Sequence, residues 1–205
     1  ASAEDPENKR PPPCGSKALS GRAVTDHASR GNPFADESAE SRAFGSAIHE
    51  LFERVDWLPG SGPAVGAEAG MDSASQAEDF CAAAAEHFRN ACEAEPVGTL
   101  MARPPGPVRL WRERPFRVIL DGALLSGRFD RVVVELDEEG APRHATVVDF
   151  KTDGTSGADT LGAAAEPHRA QMEFYRRALS RLLALAESEI ECRVVFTSAG
   201  EVVAL

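Results

Sequence analysis

Apolar residues in the first part of the chain follow a helical period. Between Ser41 and Trp57 they recur at i, i+4, i+7, i+8 and i+11, in the order Phe44, Ile48, Leu51, Phe52 and Val55. This spacing places them on one face of an amphipathic helix. Because Ser41 is a suitable N-cap and Pro59-Gly60 ends the segment, a first helix is predicted over Ser41 to Trp57.

The next stretch predicts a second helix from its composition. Ser73 to Glu95 is rich in Ala, Glu and Phe, and we expect Pro96 and Gly98 to end the helix. Proline and glycine are frequent on both sides of this stretch, at Leu58–Gly70 and at Met101–Pro107. These two segments are therefore predicted to be loops.

From Val108 onwards the pattern becomes that of β-strands. Three runs rich in Val, Leu and Phe follow one another, at Val108–Leu120, Ala123–Leu136 and Ala145–Thr152. The connections between them, Asp121-Gly122 and Asp137–Arg143, are short and favour hairpins. The three runs therefore predict an antiparallel meander.

The end of the chain predicts one more helix and two strands. We expect a mobile loop at Asp153–Pro167, a long helix at Glu166–Ser188, and strands at Glu191–Thr197 and Glu201–Leu205. The resulting order is two helices, three strands, one helix and two strands. That order indicates an α/β fold.

Composition limits the kind of protein. A chain of 205 residues that is 42% apolar suits one domain, predicted at residues 41–205. Residues 1–40 contain three consecutive prolines and no sustained apolar period, and are predicted to be a flexible arm. No apolar run reaches the roughly eighteen residues of a membrane-spanning helix, and the N-terminus lacks a secretory signal, so a cytoplasmic protein is expected. The cysteines fit no zinc or iron–sulfur spacing.

Charged residues interrupt two of the predicted strands. Asp130 stands in an otherwise apolar strand, and Asp149 and Lys151 share one face of the next strand because strand side chains alternate. If these strands are neighbours, the three charges converge, and burying them without a function would be costly. In isolation, the Asp-x-Lys string also fits a strand-end salt bridge between Asp149 and Lys151, with Asp130 in an ordinary turn.

These residue types suit metal-dependent chemistry. Two carboxylates and a backbone carbonyl, here that of Phe150, can hold a hard divalent cation through oxygen ligands. Such an ion polarises a phosphodiester and lowers the pKa of bound water. Lys151 would position or deprotonate that water, or neutralise charge on the phosphate.

Two helical motifs accompany this group. His49 follows Gly45 by one turn, beside the apolar stripe, so the first helix can present its imidazole to the same metal while Gly45 allows close approach. Gln171 and Tyr175 share a face of the long helix, where they suit holding a DNA phosphate or orienting the active-site strands. The alternatives are a surface or capping role for His49, and a solvated Gln171 beside a half-buried Tyr175.

Five short motifs in this order resemble the RecB-like branch of the PD-(D/E)xK nuclease superfamily. They are Gly45–His49, Glu113–Phe116, Gly127–Asp130, Asp149–Thr152 and Gln171–Tyr175. The chain looks like the C-terminal nuclease domain of bacterial helicase–nucleases of the exonuclease V and AddA type. This resemblance implies a restriction-endonuclease-like core, whose central mixed sheet contains the antiparallel meander and is flanked by helices.

The resemblance implies a metal centre and a catalytic lysine. His49, Asp130 and Asp149 match the metal ligands of the family, for Mg²⁺ or Mn²⁺. Lys151 matches its catalytic lysine.

It also implies roles around that centre. Gln171 and Tyr175 match a helix motif that supports DNA contact. Glu113 matches a motif position to which we assign no role, and the alternative is a strand-surface glutamate paired with Arg112 or Arg114.

The function implied by the resemblance is a metal-dependent deoxyribonuclease of the exonuclease V type. It would act on single-stranded DNA ends in double-strand break repair and recombination. The chain contains no GxxxxGK[ST] phosphate loop, so ATP hydrolysis and unwinding would come from a helicase part of a longer protein or from a partner subunit.

The charge of the chain leaves another interpretation open. A net charge of −11 argues against tight DNA binding by this piece alone, because phosphate contacts need Lys and Arg. The alternative is a catalytically inactive nuclease fold that serves as a DNA- or protein-interaction module. A zinc hydrolase is less well supported, because the grouped candidates are one histidine and two carboxylates.

Overall fold

The structure is a computed structural model that describes residues 39–59, 75–152 and 160–205. Its helices are α1 (Ala39–Glu53), α2 (Ser75–Glu93), α3 (Glu95–Met101), α4 (Leu161–Ala165) and α5 (Arg169–Leu183). Its strands are β1 (Val108–Leu120), β2 (Ala123–Leu136), β3 (Pro142–Lys151), β4 (Ile190–Phe196) and β5 (Glu201–Ala204). Short 3-10 helices lie at Glu166–His168 and Glu187–Glu189. None of the described helices is long and apolar enough to cross a membrane.

The strands form one mixed sheet in the order β1-β2-β3-β4-β5. β1, β2 and β3 pair antiparallel, as the meander predicted, and β4 and β5 are also antiparallel. β3 and β4 are parallel, and α5 lies in the connection between them, since parallel neighbours need a crossover. The predicted α/β fold with a central mixed sheet is confirmed.

Helices cover both faces of this sheet. Met172, Tyr175 and Leu179 of α5 pack on one face, in a core that includes Val147 of β3. α1 and α2 cover the other face, in a second core that includes Val148. Successive residues of β3 therefore enter different cores, which explains why this strand has an almost continuous apolar run.

Several predicted boundaries were wrong at the helices of the first part. Ser41 lies inside α1 rather than capping it, and α1 ends at Glu53 instead of Trp57. Pro96 and Gly98 do not end the helical region, because a third helix, α3, begins at Glu95. Pro96 occupies the first turn of α3, where a missing N–H costs no hydrogen bond.

Further differences concern the second half. The predicted loop at Asp153–Pro167 contains α4, whose N-cap Thr160 accepts a hydrogen bond from the N–H of Ala163. The predicted helix at Glu166–Ser188 is a 3-10 turn followed by α5, which ends at Leu183 and has Ala184 as a left-handed C-cap. β3 begins at Pro142, three residues before the predicted start.

Some predictions fall on residues that the structure does not describe. These are nearly all of the arm at residues 1–40, residues 60–70 of the first predicted loop, residues 73–74 of the second predicted helix, and residues 153–159 of the predicted loop at Asp153–Pro167.

Gly127 is required where β1 and β2 pair beside the α5 core. A Cβ at this position would lie 2.7 Å from Cζ of Phe116, which is buried and stacks on Phe129 at 4.2 Å. We expect Gly127→Ala to destabilise the domain by about 1–3 kcal/mol, because the enclosed Phe116 ring must shift. Urea unfolding measures this change.

Gly162→Ala is the matched control for that experiment. The nearest atom to an added Cβ there is Thr160 Oγ1 at 3.9 Å, so this variant is expected to lose no stability. Equal free energies of unfolding for the two variants would contradict the proposed clash.

Candidate metal centre

The backbone of β1 is irregular at Glu113, where it pairs with β2 beside the site. The strands keep one register, with Arg112 opposite Arg131 and Arg114 opposite Phe129, but Glu113 between them has a φ of 42°. On either side of this point, Phe129 and Val132 enter the same core under α5, although they are three residues apart. A regular strand would place them on opposite faces.

The consequence of the irregularity is that two successive residues of β2 contact the α1 side. Asp130 lies beside His49 of α1, and Arg131 donates to the carbonyl of Val55, just beyond α1. This arrangement brings a carboxylate of β2 to the first helix.

Asp130 lies where β2 separates from β3. Pairing between these strands extends only as far as Arg131 and Val148. Oδ2 of Asp130 accepts a hydrogen bond from the backbone N–H of Phe150 at 3.0 Å. The carboxylate thus takes the place of the backbone acceptor that the separated strand no longer provides.

His49 is oriented towards two carboxylates. Its Nε2 lies 3.0 Å from the carbonyl oxygen of Phe150, and since a carbonyl only accepts, Nε2 carries the hydrogen. In the neutral ring Nδ1 is then unprotonated, and it lies 3.5 Å from Asp130 Oδ2 and 3.6 Å from Glu113 Oε1. Gly45 allows this approach, because an added Cβ would lie 3.3 Å from Thr152 Oγ1.

Three potential ligands therefore converge at one point. One atom each from His49, Glu113 and Asp130 lies within 4.8 Å of the others. An imidazole nitrogen and two carboxylate oxygens are a donor set that Mg²⁺ and especially Mn²⁺ accept.

Asp149 lies next to this group, in the interior. The residue is 2% exposed, and its Oδ1 accepts a hydrogen bond from Gln171 Nε2 at 3.1 Å. Lys151 Nζ lies 2.9 Å from Oδ2 but not in hydrogen-bonding orientation, so Oδ2 has no hydrogen-bond partner among the described residues. The ammonium of Lys151 is thus the counter-charge of this buried carboxylate.

The electrostatics of the site favour a bound cation. Burial raises the pKa of Asp130 well above its ordinary value, and the carboxylates of Asp149 and Glu113 raise it further, against the opposing N–H of Phe150 and charge of Lys151. Ionised Asp130 is therefore disfavoured without a counter-charge. The residues present fit a divalent metal ion.

The helix motif of Gln171 and Tyr175 contacts the site from within the core. Gln171 Nε2 also lies 3.0 Å from the hydroxyl of Tyr175, and Lys151 Nζ lies 3.4 Å from Gln171 Oε1. Tyr175 is 4% exposed, and burial raises the pKa of its hydroxyl, which stays protonated. These contacts fit a role in orienting Asp149 and Lys151. The alternative, a solvated Gln171 beside a half-buried Tyr175, does not describe the structure, because Gln171 is partly buried and hydrogen bonded and Tyr175 is buried.

The other predicted residues are placed as follows. The carbonyl of Phe150 accepts from His49 and retains a second lone pair. Glu113 pairs with Arg128, at 3.3 Å, and not with Arg112 or Arg114. Glu113 lies within the potential ligand group, whereas Asp149 lies behind it.

A contact that the sequence did not suggest fixes the backbone of Lys151. Thr197 Oγ1 donates to the carbonyl of Lys151 at 3.1 Å, and His87 Nε2 lies 2.8 Å from the same hydroxyl, to which it donates. Burial lowers the pKa of His87, which keeps the ring neutral in this role. A signal was available, because His87 shares a helix face with the buried residues Ala84 and Ala91.

Comparison with known proteins agrees with this geometry. Residues 22–202 match the family model of the PD-(D/E)XK nuclease superfamily, and this range includes every residue of the candidate site. No curated protein matches the chain significantly. The chain belongs to the PD-(D/E)XK nuclease superfamily.

Proposed function

We propose that this domain is a Mg²⁺- or Mn²⁺-dependent deoxyribonuclease. The observation that carries the proposal is the convergence of His49, Glu113 and Asp130 beside the pair formed by Asp149 and Lys151. His49, Glu113 and Asp130 would hold the metal, and Asp149, whose carboxylate faces Asp130, is a further potential ligand. A divalent cation bound there supplies polarisation of the phosphodiester and a lowered pKa of water.

The residues of the chain then have separate tasks. The bond from His49 Nε2 to Phe150 fixes the ring so that Nδ1 faces the carboxylates. Asp149 and Gln171 hold the Lys151 ammonium at the edge of the site, 2.9 and 3.4 Å from its Nζ. There Lys151 can orient the attacking water and neutralise the charge that develops on the phosphate.

A narrower assignment rests on the order of the sequence motifs. The order from Gly45–His49 to Gln171–Tyr175 supports a RecB-like nuclease of the exonuclease V or AddA type. Such a domain would degrade single-stranded DNA ends delivered by a helicase part of a longer protein or by a partner subunit. Its place would be double-strand break repair and recombination in the cytoplasm.

Cleavage of labelled DNA tests the proposal. The protein is incubated with linear and circular single-stranded DNA in Mn²⁺, in Mg²⁺ and in EDTA. Metal-dependent loss of linear DNA alone is expected from an exonuclease. Asp149→Ala is expected to lower the rate about 10³-fold, because it removes the group that holds Lys151.

Asp79→Ala is the control, since Asp79 is exposed on α2 and outside the site. Cleavage that persists in EDTA, or that Asp149→Ala leaves unchanged, would reject a metal-dependent nuclease. Binding of Mn²⁺ without any cleavage would support the interaction module instead, and loss of that binding in Asp130→Ala would still locate the metal.

A further inference from the structure

The predicted helix motif, Gln171 and Tyr175, does not form an exposed surface on which DNA could lie. Gln171 contacts Asp149, Lys151 and Tyr175, and Tyr175 is buried. The chain also carries a net charge of −11. A DNA-binding surface therefore requires positive charge gathered in one place, because phosphate contacts supply most of the affinity.

Positive charge is gathered on β1. This strand contains four arginines and one acidic residue: Arg109, Arg112, Arg114, Arg117 and Glu113. β1 is the first strand in the sheet order, so within the described residues its outer edge has no partner strand. Pro115, which lacks an N–H, agrees with this edge position. Arginines on both faces of β1 thus border one open edge.

Most of these arginines are not neutralised by neighbours. Within the described ranges, no carboxylate lies at ion-pair distance from Arg109, Arg114 or Arg117, nor from the nearby Arg54 and Arg103. By contrast, Arg128, Arg143, Arg169, Arg177 and Arg193 are each paired with a carboxylate. The β1 edge is therefore a basic surface on an acidic protein.

A groove lies beside this edge. It is lined by Glu53, Arg54, Leu110, Trp111, Arg112 and Arg114. The Arg114 guanidinium lies over the Trp111 ring, 4.9 Å from its centroid. The indole also packs against the α5 core, so an unpaired base can stack on the guanidinium plane that covers it. Glu113 of the potential ligand group belongs to the same stretch of strand.

We propose that the outer edge of β1 is a track for single-stranded DNA, with Arg109, Arg114 and Arg117 near its phosphates and a base stacked on the Arg114 guanidinium that covers Trp111. This inference rests on the proposed nuclease function and names where its substrate lies. At about 3.3 Å per residue, Arg109 and Arg117 are roughly 26 Å apart, with Glu113 midway between them. A strand along this edge passes the metal centre. Stacking on the Arg114 guanidinium requires an unpaired base, which selects single-stranded over duplex DNA.

Binding without cleavage tests the track separately from the chemistry. Fluorescence anisotropy of a labelled oligothymidine is measured in EDTA at several salt concentrations, with the wild-type chain and with Arg109→Gln/Arg114→Gln. The double variant is expected to bind about tenfold more weakly, and its log–log salt slope to fall by about 1.4, since each contact with single-stranded DNA contributes roughly 0.7. Arg89→Gln/Arg181→Gln, on exposed helix positions, makes the same charge change and is expected to bind like wild type.

Equal weakening by both pairs, or tighter binding of a duplex than of the oligothymidine, overturns the track. Photo-crosslinking of an iododeoxyuridine oligonucleotide to the wild-type chain needs no variant. A crosslink on residues 109–117 supports the track, and crosslinks confined to other segments overturn it. If binding follows the prediction but no metal-dependent cleavage occurs, the nuclease proposal fails and the track stands. If the Arg109→Gln/Arg114→Gln variant cleaves DNA at the wild-type rate, the track is rejected and the nuclease proposal stands.

Discussion

Asp130→Asn is expected to raise the melting temperature of the metal-free domain and to lower DNA cleavage about 10³-fold. Both effects have the same origin. Asp130 is largely buried and faces the carboxylates of Asp149 and Glu113, so its ionisation in the folded state is unfavourable. The amide removes this repulsion, while its oxygen can still accept from the N–H of Phe150. It also removes the charge that a divalent cation requires.

The pH dependence of stability distinguishes this explanation. The folded pKa of Asp130 is raised, so the folded state binds its proton more tightly than the unfolded state does. In EDTA the contribution of Asp130 to stability therefore falls as pH rises from the unfolded pKa, about 3.9, through the folded one. Between pH 5 and pH 8, the melting temperature of the wild-type protein should therefore fall more than that of Asp130→Asn.

In the presence of metal, the wild-type protein should have the higher melting temperature of the two, the reverse of the order in EDTA. Mn²⁺ is expected to raise the melting temperature of wild type and to leave that of Asp130→Asn nearly unchanged, because a ligand that binds only the folded state stabilises it. Asp79→Asn is the control for the change in net charge, since Asp79 is exposed on α2. An equal rise in melting temperature for Asp79→Asn would show that net charge, and not the cluster, causes the effect.

The parts of the site that could be predicted depend on regular periodicity. Alternation along β3 predicted that Asp149 and Lys151 are neighbours, and their charged atoms lie 2.9 Å apart. Helical spacing predicted that Gln171 and Tyr175 share a face, and they are hydrogen bonded at 3.0 Å. The mixed sheet followed from the resemblance, which rested on the order of the motifs.

The parts that could not be predicted depend on departures from regularity. The sequence does not predict the left-handed backbone conformation of Glu113, because residues other than glycine rarely adopt it. Without that irregularity, Phe129 and Val132 would lie on opposite faces of the sheet. For the same reason, the sequence alone did not indicate that Glu113 would lie beside His49 and Asp130. The end of α5 was missed for a similar reason, since Ala184 adopts a left-handed C-cap conformation usually taken by glycine.

Arg131 is a buried residue that the sequence analysis did not single out, and its substitution is the second change for which we expect a large effect. The side chain is 1% exposed and donates to the carbonyls of Val55, at 3.0 Å, and Asp56, with Trp57 beside it. Burial lowers the pKa of its guanidinium to about 10, which leaves it charged at neutral pH. Because it follows Asp130 directly, Arg131 attaches the segment after α1 to the strand that carries a potential metal ligand.

Arg131→Met is expected to destabilise the domain by about 3 kcal/mol, measured by urea unfolding. Methionine fills much of the space, but it leaves two carbonyls of the segment after α1 without their donors. The same loss should loosen α1 and weaken Mn²⁺ binding about 10–100-fold through His49, as substitutions around ligands usually do. Arg143→Met is the control, since Arg143 is 59% exposed and pairs with Glu135 at the surface, where the cost should stay below about 1 kcal/mol. If both variants lose equal stability, Arg131 does not connect α1 to β2, and the position of His49 must be maintained by the packing of Ile48 and Phe52 alone.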